Sequence, residues 1–206
     1  MKNIYSSQTL FLIVNANYND RMSSAQNLLI KTTLDLLSTQ KIVSTINISC
    51  IEFRATTDIL ELQKNHQSLS VIQPNFPLYQ QLKTLNINCS PIIDNQIKNL
   101  LFLGTQYKEF NISIFVKALN EIEENGFLLV CMENSLGAAR YESLFKELYS
   151  GNIFELQKSK CRIFGTLKLE KQFINQELIK EYKSKNLEYS FNKGEIDKGS
   201  LLLADT

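Results

Sequence analysis

Three short stretches of this 206-residue chain carry residue types that could do chemistry. The first, Glu133-Asn134-Ser135-Leu136-Gly137, follows the apolar run Phe127 to Met132 and precedes an amphipathic stretch. A strand–turn–helix junction leaves backbone N–H groups at the helix start, so the turn could make polar contacts or hold an anion weakly. A plainer reading is that Asn134 or Ser135 caps the helix and Gly137 shapes the turn. The second stretch is Lys158-Ser159-Lys160-Cys161-Arg162-Ile163-Phe164, with no acid between Glu155 and Glu170. If residues 160–164 are a strand, its period of two sets Lys158, Lys160 and Arg162 on one face and Ser159, Cys161 and Ile163 on the other. The basic face is either a small phosphate-contacting patch or a solvated edge whose lysines discourage strand pairing. The third is Gly104-Thr105-Gln106-Tyr107-Lys108. There a base could stack on Tyr107 and a phosphate could meet Lys108, or the loop simply feeds a helix.

The distribution of glycine narrows the chemistry. The chain has 7 glycines and the first is Gly104, so residues 1–103 hold no glycine-rich phosphate loop. The glycine-rich loop that usually follows the first strand of an S-adenosylmethionine-binding sheet is absent as well. The single histidine, His66, has no acid partner in local sequence, so no Ser-His-Asp set is visible. Cys50, Cys89, Cys131 and Cys161 form no C-x-x-C pair, and three of them sit in apolar runs. They read as reduced thiols of a cytoplasmic protein, with no metal site. A net charge of +1 does not advertise a nucleic-acid protein, although it leaves room for a local basic patch. Lys2 and the run Thr9 to Val14 imitate a short signal peptide, but Asn15 and Asn17 interrupt it, and it reads as a buried first strand. No apolar run is long enough to span a membrane.

The elements that must position these stretches alternate. Strands are expected over 9–14, 42–53, 69–73, 97–103, 127–132, 152–157 and 160–169. Helices are expected over 21–38, 56–64, 77–85, 107–123, 138–149 and 176–184, the last capped by Asn175. Alternation of this kind predicts a three-layer α/β domain around a mostly parallel sheet. Ligands of such sheets bind beyond the carboxyl ends of the strands, which here are Asn15–Tyr18, Gln73–Asn75, Gly104–Tyr107 and Glu133–Gly137.

The segment Glu133-Asn134-Ser135-Leu136-Gly137-Ala138-Ala139-Arg140-Tyr141-Glu142 resembles a turn and helix of the two-domain 16S ribosomal RNA guanine-N2 methyltransferases. Ser159-Lys160-Cys161-Arg162-Ile163-Phe164-Gly165 is similar to that family's basic-Cys-Phe strand. Phe191 to Leu203, with Ile196-Asp197-Lys198-Gly199-Ser200-Leu201-Leu202-Leu203, resembles the segment that opens the family's catalytic domain. The match runs from about residue 97 to the end, and residues 16–68 carry little of it.

The resemblance implies a degenerate class I methyltransferase-like domain over 1–170, with 171–206 as a linker helix and the truncated, loosely packed start of a catalytic domain. It implies that Gly104-Thr105-Gln106-Tyr107 stands where a catalytic copy carries N-P-P-[FY], with the asparagine and both prolines missing. The implied function is the non-catalytic, RNA-positioning half of the enzyme. No catalytic or cofactor-binding residue is expected, because S-adenosylmethionine would belong to the other domain. Lys158, Lys160, Arg162, Tyr107 and Lys108 would touch RNA of the small ribosomal subunit, while Asn134 and Gly137 shape the turn. Two other readings stay open: a module that docks a separately encoded catalytic half, and a small-molecule α/β enzyme with a deep polar site near Gly104 and Asn134.

Overall fold

A computed structural model describes residues 24–39, 41–42, 48–65, 68–90 and 97–186. The expected strand over 9–14, His66 and the segment 187–206 lie outside the described residues. Helix α1 spans 24–38. It is followed by β1 (Ile48–Ile51), α2 (Thr57–Asn65), β2 (Leu69–Ile72), α3 (Phe76–Thr84), β3 (Cys89–Ser90) and β4 (Asn99–Leu103). Then come α4 (Lys108–Glu121), β5 (Leu128–Glu133), α5 (Ala138–Leu148), β6 (Phe154–Lys158), β7 (Cys161–Thr166) and α6 (Gln176–Asn186).

The seven strands form one sheet in the order β3-β2-β1-β4-β5-β7-β6. Pairing is parallel from β3 through β5, and β7 runs antiparallel between β5 and β6. The central strands are apolar on both faces, as burial under helices on both sides requires. Leu101, Leu103, Leu129 and Cys131 join the core beneath α1, α2 and α3. Leu100, Phe102, Leu128, Val130 and Met132 join the core beneath α4, α5 and α6. The result is the expected three-layer α/β architecture.

Phe115 of α4 organises the second core. Its ring meets those of Phe102, Tyr141, Phe145 and Phe164 at 6.0–6.2 Å, each edge-on. Edge-on pairs place the positive rim of one ring on the negative face of another. One side chain thus ties α4 to β4, α5 and β7. Helix α6 packs on the same core through the buried Ile179, with Leu178 and Tyr182 against it. Asn175 caps α6 as expected, its Oδ1 accepting from the Leu178 N–H at 3.1 Å.

Some expectations are corrected. The expected strand over 42–53 is described as a strand only at Ile48–Ile51. Strand β3 was not expected, because two residues leave no period to read. The largest change is at the basic stretch. Lys158 pairs opposite Cys161, so Ser159 and Lys160 form a two-residue hairpin turn. Both have positive φ, 52° and 61°, which is the backbone of a type I′ turn. Lys160 is therefore a turn residue and not the start of a strand. Gly165 in β7 has φ +149°, and a Cβ there would collide with the Leu128 carbonyl, so β7 lies against β5 only because this residue is glycine.

Replacing Phe115 with alanine should remove about 3–5 kcal/mol of stability by opening a cavity among four rings. Urea unfolding would measure it, and a loss below about 1 kcal/mol would show that the ring cluster is not the organising contact.

Candidate functional site

The carboxyl ends of the parallel strands lie level. Ile51 of β1 pairs with Ile72 of β2 on one side and Phe102 of β4 on the other. Backbone groups leaving these strands must find partners. Side-chain amides supply many of them. Gln26 of α1 is buried, and its Oε1 accepts from the Arg54 N–H at 2.8 Å. Its Nε2 donates to the Arg54 carbonyl at 3.1 Å and to Thr56 Oγ1 at 2.7 Å. Gln73, fully buried beyond β2, donates to the Phe53 carbonyl at 3.0 Å and accepts from the Asn75 N–H at 3.0 Å. The loop after β1 is thus closed by two glutamines. Glu52, which starts this loop, has φ +65°; burial pushes its carboxyl up and the Arg54 charge opposes that.

The loop after β4 is held the same way. Asn111, fully buried in the first turns of α4, accepts on Oδ1 from Thr105 N–H at 2.9 Å and from Thr105 Oγ1 at 3.1 Å. Its Nδ2 donates to the Thr105 carbonyl at 2.7 Å. Thr105 Oγ1 in turn accepts from the Tyr107 N–H at 3.1 Å. Every polar atom of the Asn111 amide except one donor hydrogen turns inward onto this loop. The outcome is a braced loop from which Tyr107 projects, 64% exposed, followed by the exposed Lys108. A cation at a helix N-terminus opposes the helix dipole, so Lys108 does not stand there for the stability of α4.

The structure brings the three stretches singled out in sequence to one rim. The Asn134 N–H donates to the Lys160 carbonyl at 2.8 Å, joining the turn after β5 to the β6–β7 hairpin. Gly137, with φ +84°, links the short 3-10 turn Asn134–Leu136 to α5. Asn134 and Gly137 thus shape this turn, and no side-chain hydrogen bond caps α5. Gly104, Glu133 and Leu136 share a recess with Ala25, Leu103 and Cys131. Its volume of about 10 Å³ is room for one water.

The basic stretch divides. Lys158 pairs with Cys161 and shares its face, whereas Arg162 pairs with Gln157 and points to the other. The expected common face for Lys158, Lys160 and Arg162 is therefore corrected. Lys158 and Lys160 are exposed. Arg162 donates from Nη1 to Glu142 Oε2 at 2.7 Å, and Lys146 bridges Glu142 and Glu155 at 2.9 and 2.7 Å. Its charge is thus spent on α5. Sequence reading missed Gln26, Gln73 and Asn111, and also Arg140, exposed in the first turn of α5. Asn111 carries one local signal, a polar residue beside the apolar positions of its helix.

The thiols shift in different directions, and the hydrogen bond with Cys131 holds Cys161 below its usual value. Burial pushes Cys50 up, and the hydrogen bond with Cys161, together with burial, pushes Cys131 up. Among the described residues no group of three or more His, Cys, Asp or Glu is placed to hold a metal. Nor is any described helix long and apolar enough to cross a membrane.

No protein-family model matches the chain, and no curated protein matches it. Solved structures do. The T. thermophilus 16S rRNA N2 methyltransferase RsmC, in complex with AdoMet and guanosine, is similar at 15% identity and TM-score 0.49, over 66% of this chain and 38% of that one. Magnesium protoporphyrin IX methyltransferase from Synechocystis, with bound SAM, is similar at 6% identity and TM-score 0.49, over 69% and 79%. N-methyltransferase NodS from Bradyrhizobium japonicum, with S-adenosyl-l-homocysteine, is similar at 9% identity and TM-score 0.49, over 71% and 84%. The chain thus spans little more than a third of the RsmC structure. The fold is α/β, with helices on both sides of a mixed seven-stranded sheet.

The expectation that this chain binds no cofactor is corrected. It rested on the missing glycine loop, and neighbours of this fold hold AdoMet, SAM or S-adenosyl-l-homocysteine, so a missing motif is no ground for excluding the cofactor. In the described arrangement the loop after β1 is engaged by Gln26 and Gln73, and the recess beside Gly104 takes one water.

Two outcomes follow from the buried polar groups. Asn111→Ala leaves Thr105 N–H and C=O without their partner and should cost about 2 kcal/mol or more in urea unfolding. An unchanged midpoint would show that water replaces the amide. The second concerns Glu142. Burial pushes its carboxyl up, but hydrogen bonds from Lys146 and Arg162, with their charges, outweigh that and hold it below the ordinary value. A carboxylate held down in the fold stabilises above its unfolded pKa, and that contribution is lost as pH falls through the folded value. Glu142→Gln should therefore lower stability at pH 7 by about 1–3 kcal/mol, with the gap from wild type closing below about pH 4. An equal gap at pH 7 and pH 3 would contradict the assignment.

Proposed function

We propose that this chain is the RNA-positioning, non-catalytic domain of a ribosomal RNA guanine-N2 methyltransferase. The observation that carries the reading is the loop after β4. The backbone carbonyl of Thr105 and the whole acceptor of Asn111 are turned inward, Gly104 brings no side-chain acceptor, and Tyr107 is left projecting into solvent. A loop that grips a target amine needs acceptors facing the ligand. This loop instead offers a rigid ring and a cation, which suit stacking on a base and contact with a phosphate. Lys158, Lys160 and Arg140 extend the basic rim beyond the turn, all three exposed. The motif resemblance over 133–142 and 159–165 falls on this same rim. The partners implied are RNA of the small ribosomal subunit and a catalytic domain that acts on the positioned guanine.

Binding of a small-subunit RNA fragment should weaken linearly on a log–log plot against salt. The double variant with Lys158→Ala and Lys160→Ala should lower the slope by about 1.4 to 1.8, two phosphate contacts' worth. Arg162→Ala should leave the slope unchanged and reduce stability instead, because its charge is bound to Glu142. An unchanged slope in the double variant would remove these lysines from the interface. Methyl incorporation into RNA by the chain alone would overturn the non-catalytic assignment.

A further inference from the structure

The outer face of α3 carries a stripe that the rim described above does not use. Phe76, Tyr79 and Lys83 stand three and seven residues apart and so share one helix face. Phe76 is 66% exposed. Its ring centroid lies 6.3 Å from that of Tyr79, at an interplanar angle of 34°. Lys83 Nζ sits 4.8 Å from the centroid of Tyr79. The rings and the ammonium thus form a ladder along the helix, from its first turn to its last.

Core packing does not call for this ladder. The only residue α3 buries fully is Leu82, about a third of a turn round the helix from Phe76, and Tyr79, between them, is half-buried. The start of the helix is fixed without Phe76 as well: Asn75 Oδ1 accepts from the Leu78 N–H at 3.2 Å, and Pro77 presets the first turn. A large ring held two-thirds in water at this place marks a contact surface more than a packing requirement.

Charge indicates what the surface contacts. No acidic residue occurs between Glu61 and Asp94, so neither α3 nor the strands on either side of it bring a carboxylate to this edge of the sheet. A polyanion meets Lys83 without repulsion from its neighbours. The aromatic faces accept any base, and cations beside them reinforce the stacking. Position adds to this. Phe76 lies four residues beyond Ile72, and Tyr107 five beyond Phe102, and those two strand residues both pair with Ile51. The stripe therefore begins at the same carboxyl-end rim as Tyr107, two strand spacings away, about 10 Å.

We propose that the α3 stripe is a binding site for single-stranded RNA, with one base stacked on Phe76 and a neighbouring phosphate on Lys83. The site rests on the RNA reading above and extends the path of the strand from Tyr107 across the ends of β4, β1 and β2. Duplex RNA does not fit it, because paired bases keep their faces stacked on one another.

The test is fluorescence anisotropy of the full chain with a short unstructured RNA and with the same sequence as a duplex. Phe76→Ala should weaken single-strand binding at least about fivefold. Phe76→Tyr should restore it, and duplex binding should not change. Lys83→Ala should lower the salt slope by about 0.7. Circular dichroism should be unchanged in all three, because both side chains are exposed. If Phe76→Ala and Lys83→Ala bind like wild type while Tyr107→Ala with Lys108→Ala loses affinity, this site is overturned and the RNA reading stands. If wild type binds no RNA at low salt, both fall. If wild type forms a dimer in sedimentation that Phe76→Ala dissociates, the stripe is a protein contact and the proposal is overturned.

Discussion

At the carboxyl end of a parallel sheet the backbone leaves the ladder, and its N–H and C=O groups still need partners. In this chain three carboxamides meet that need: Gln26 on the loop after β1, Gln73 between the loops after β1 and β2, and Asn111 on the loop after β4. Each is buried and each bonds backbone on both its oxygen and its nitrogen. An amide is the side chain that can do this, since it carries donor and acceptor on one planar group. The first 103 residues contain no glycine, and the loops after β1 and β2 are correspondingly shaped by side chains and not by close backbone approach. What the loops present outward follows from how they are closed inward.

The second half of the molecule rests on a wedge. Strand β7 lies antiparallel between β5 and β6, Gly165 lets it approach Leu128, and Phe164 joins the ring cluster around Phe115. On its other residues Arg162 is tied to Glu142 of α5, which is tied to Lys146 and through it to Glu155 of β6. This network fixes α5 over the β6–β7 hairpin, and the Asn134 N–H holds the hairpin's Lys160 carbonyl. The rim formed by Tyr107, Lys108, Lys158 and Lys160 is thus mounted on rigid elements. The proposed positioning role requires this, because the ring and cations must be in place before a strand arrives.

Most of the architecture was legible because the apolar pattern changes period where the elements change. The runs Ile97 to Leu103 and Phe127 to Met132 could only be buried strands, and the stripe around Phe115 only a helix on a sheet. Asn175 and Gly137 announced a cap and a turn for the same local reasons. The failures have a physical cause as well. Lys160 reads as a strand residue because lysine is rare at positive φ, and nothing local signals a type I′ turn without Asn or Gly. Arg162 reads as a free cation because its partner Glu142 is 20 residues away in sequence. The role of Gln26 is invisible for the same reason, its partner being Arg54. The missing glycine motif was over-read: it describes one way to hold a cofactor, and the fold is broader than that motif.

The account stands or falls on whether RNA lies across the carboxyl-end rim. Ultraviolet cross-linking of the full chain to small-subunit ribosomal RNA, with the linked peptides identified by mass spectrometry, addresses this directly. The account predicts adducts on the peptides that contain Tyr107 and Lys158–Lys160, at the loop after β4 and the β6–β7 hairpin. Cross-links confined to the opposite, amino-terminal end of the strands, or none at low salt, would contradict it.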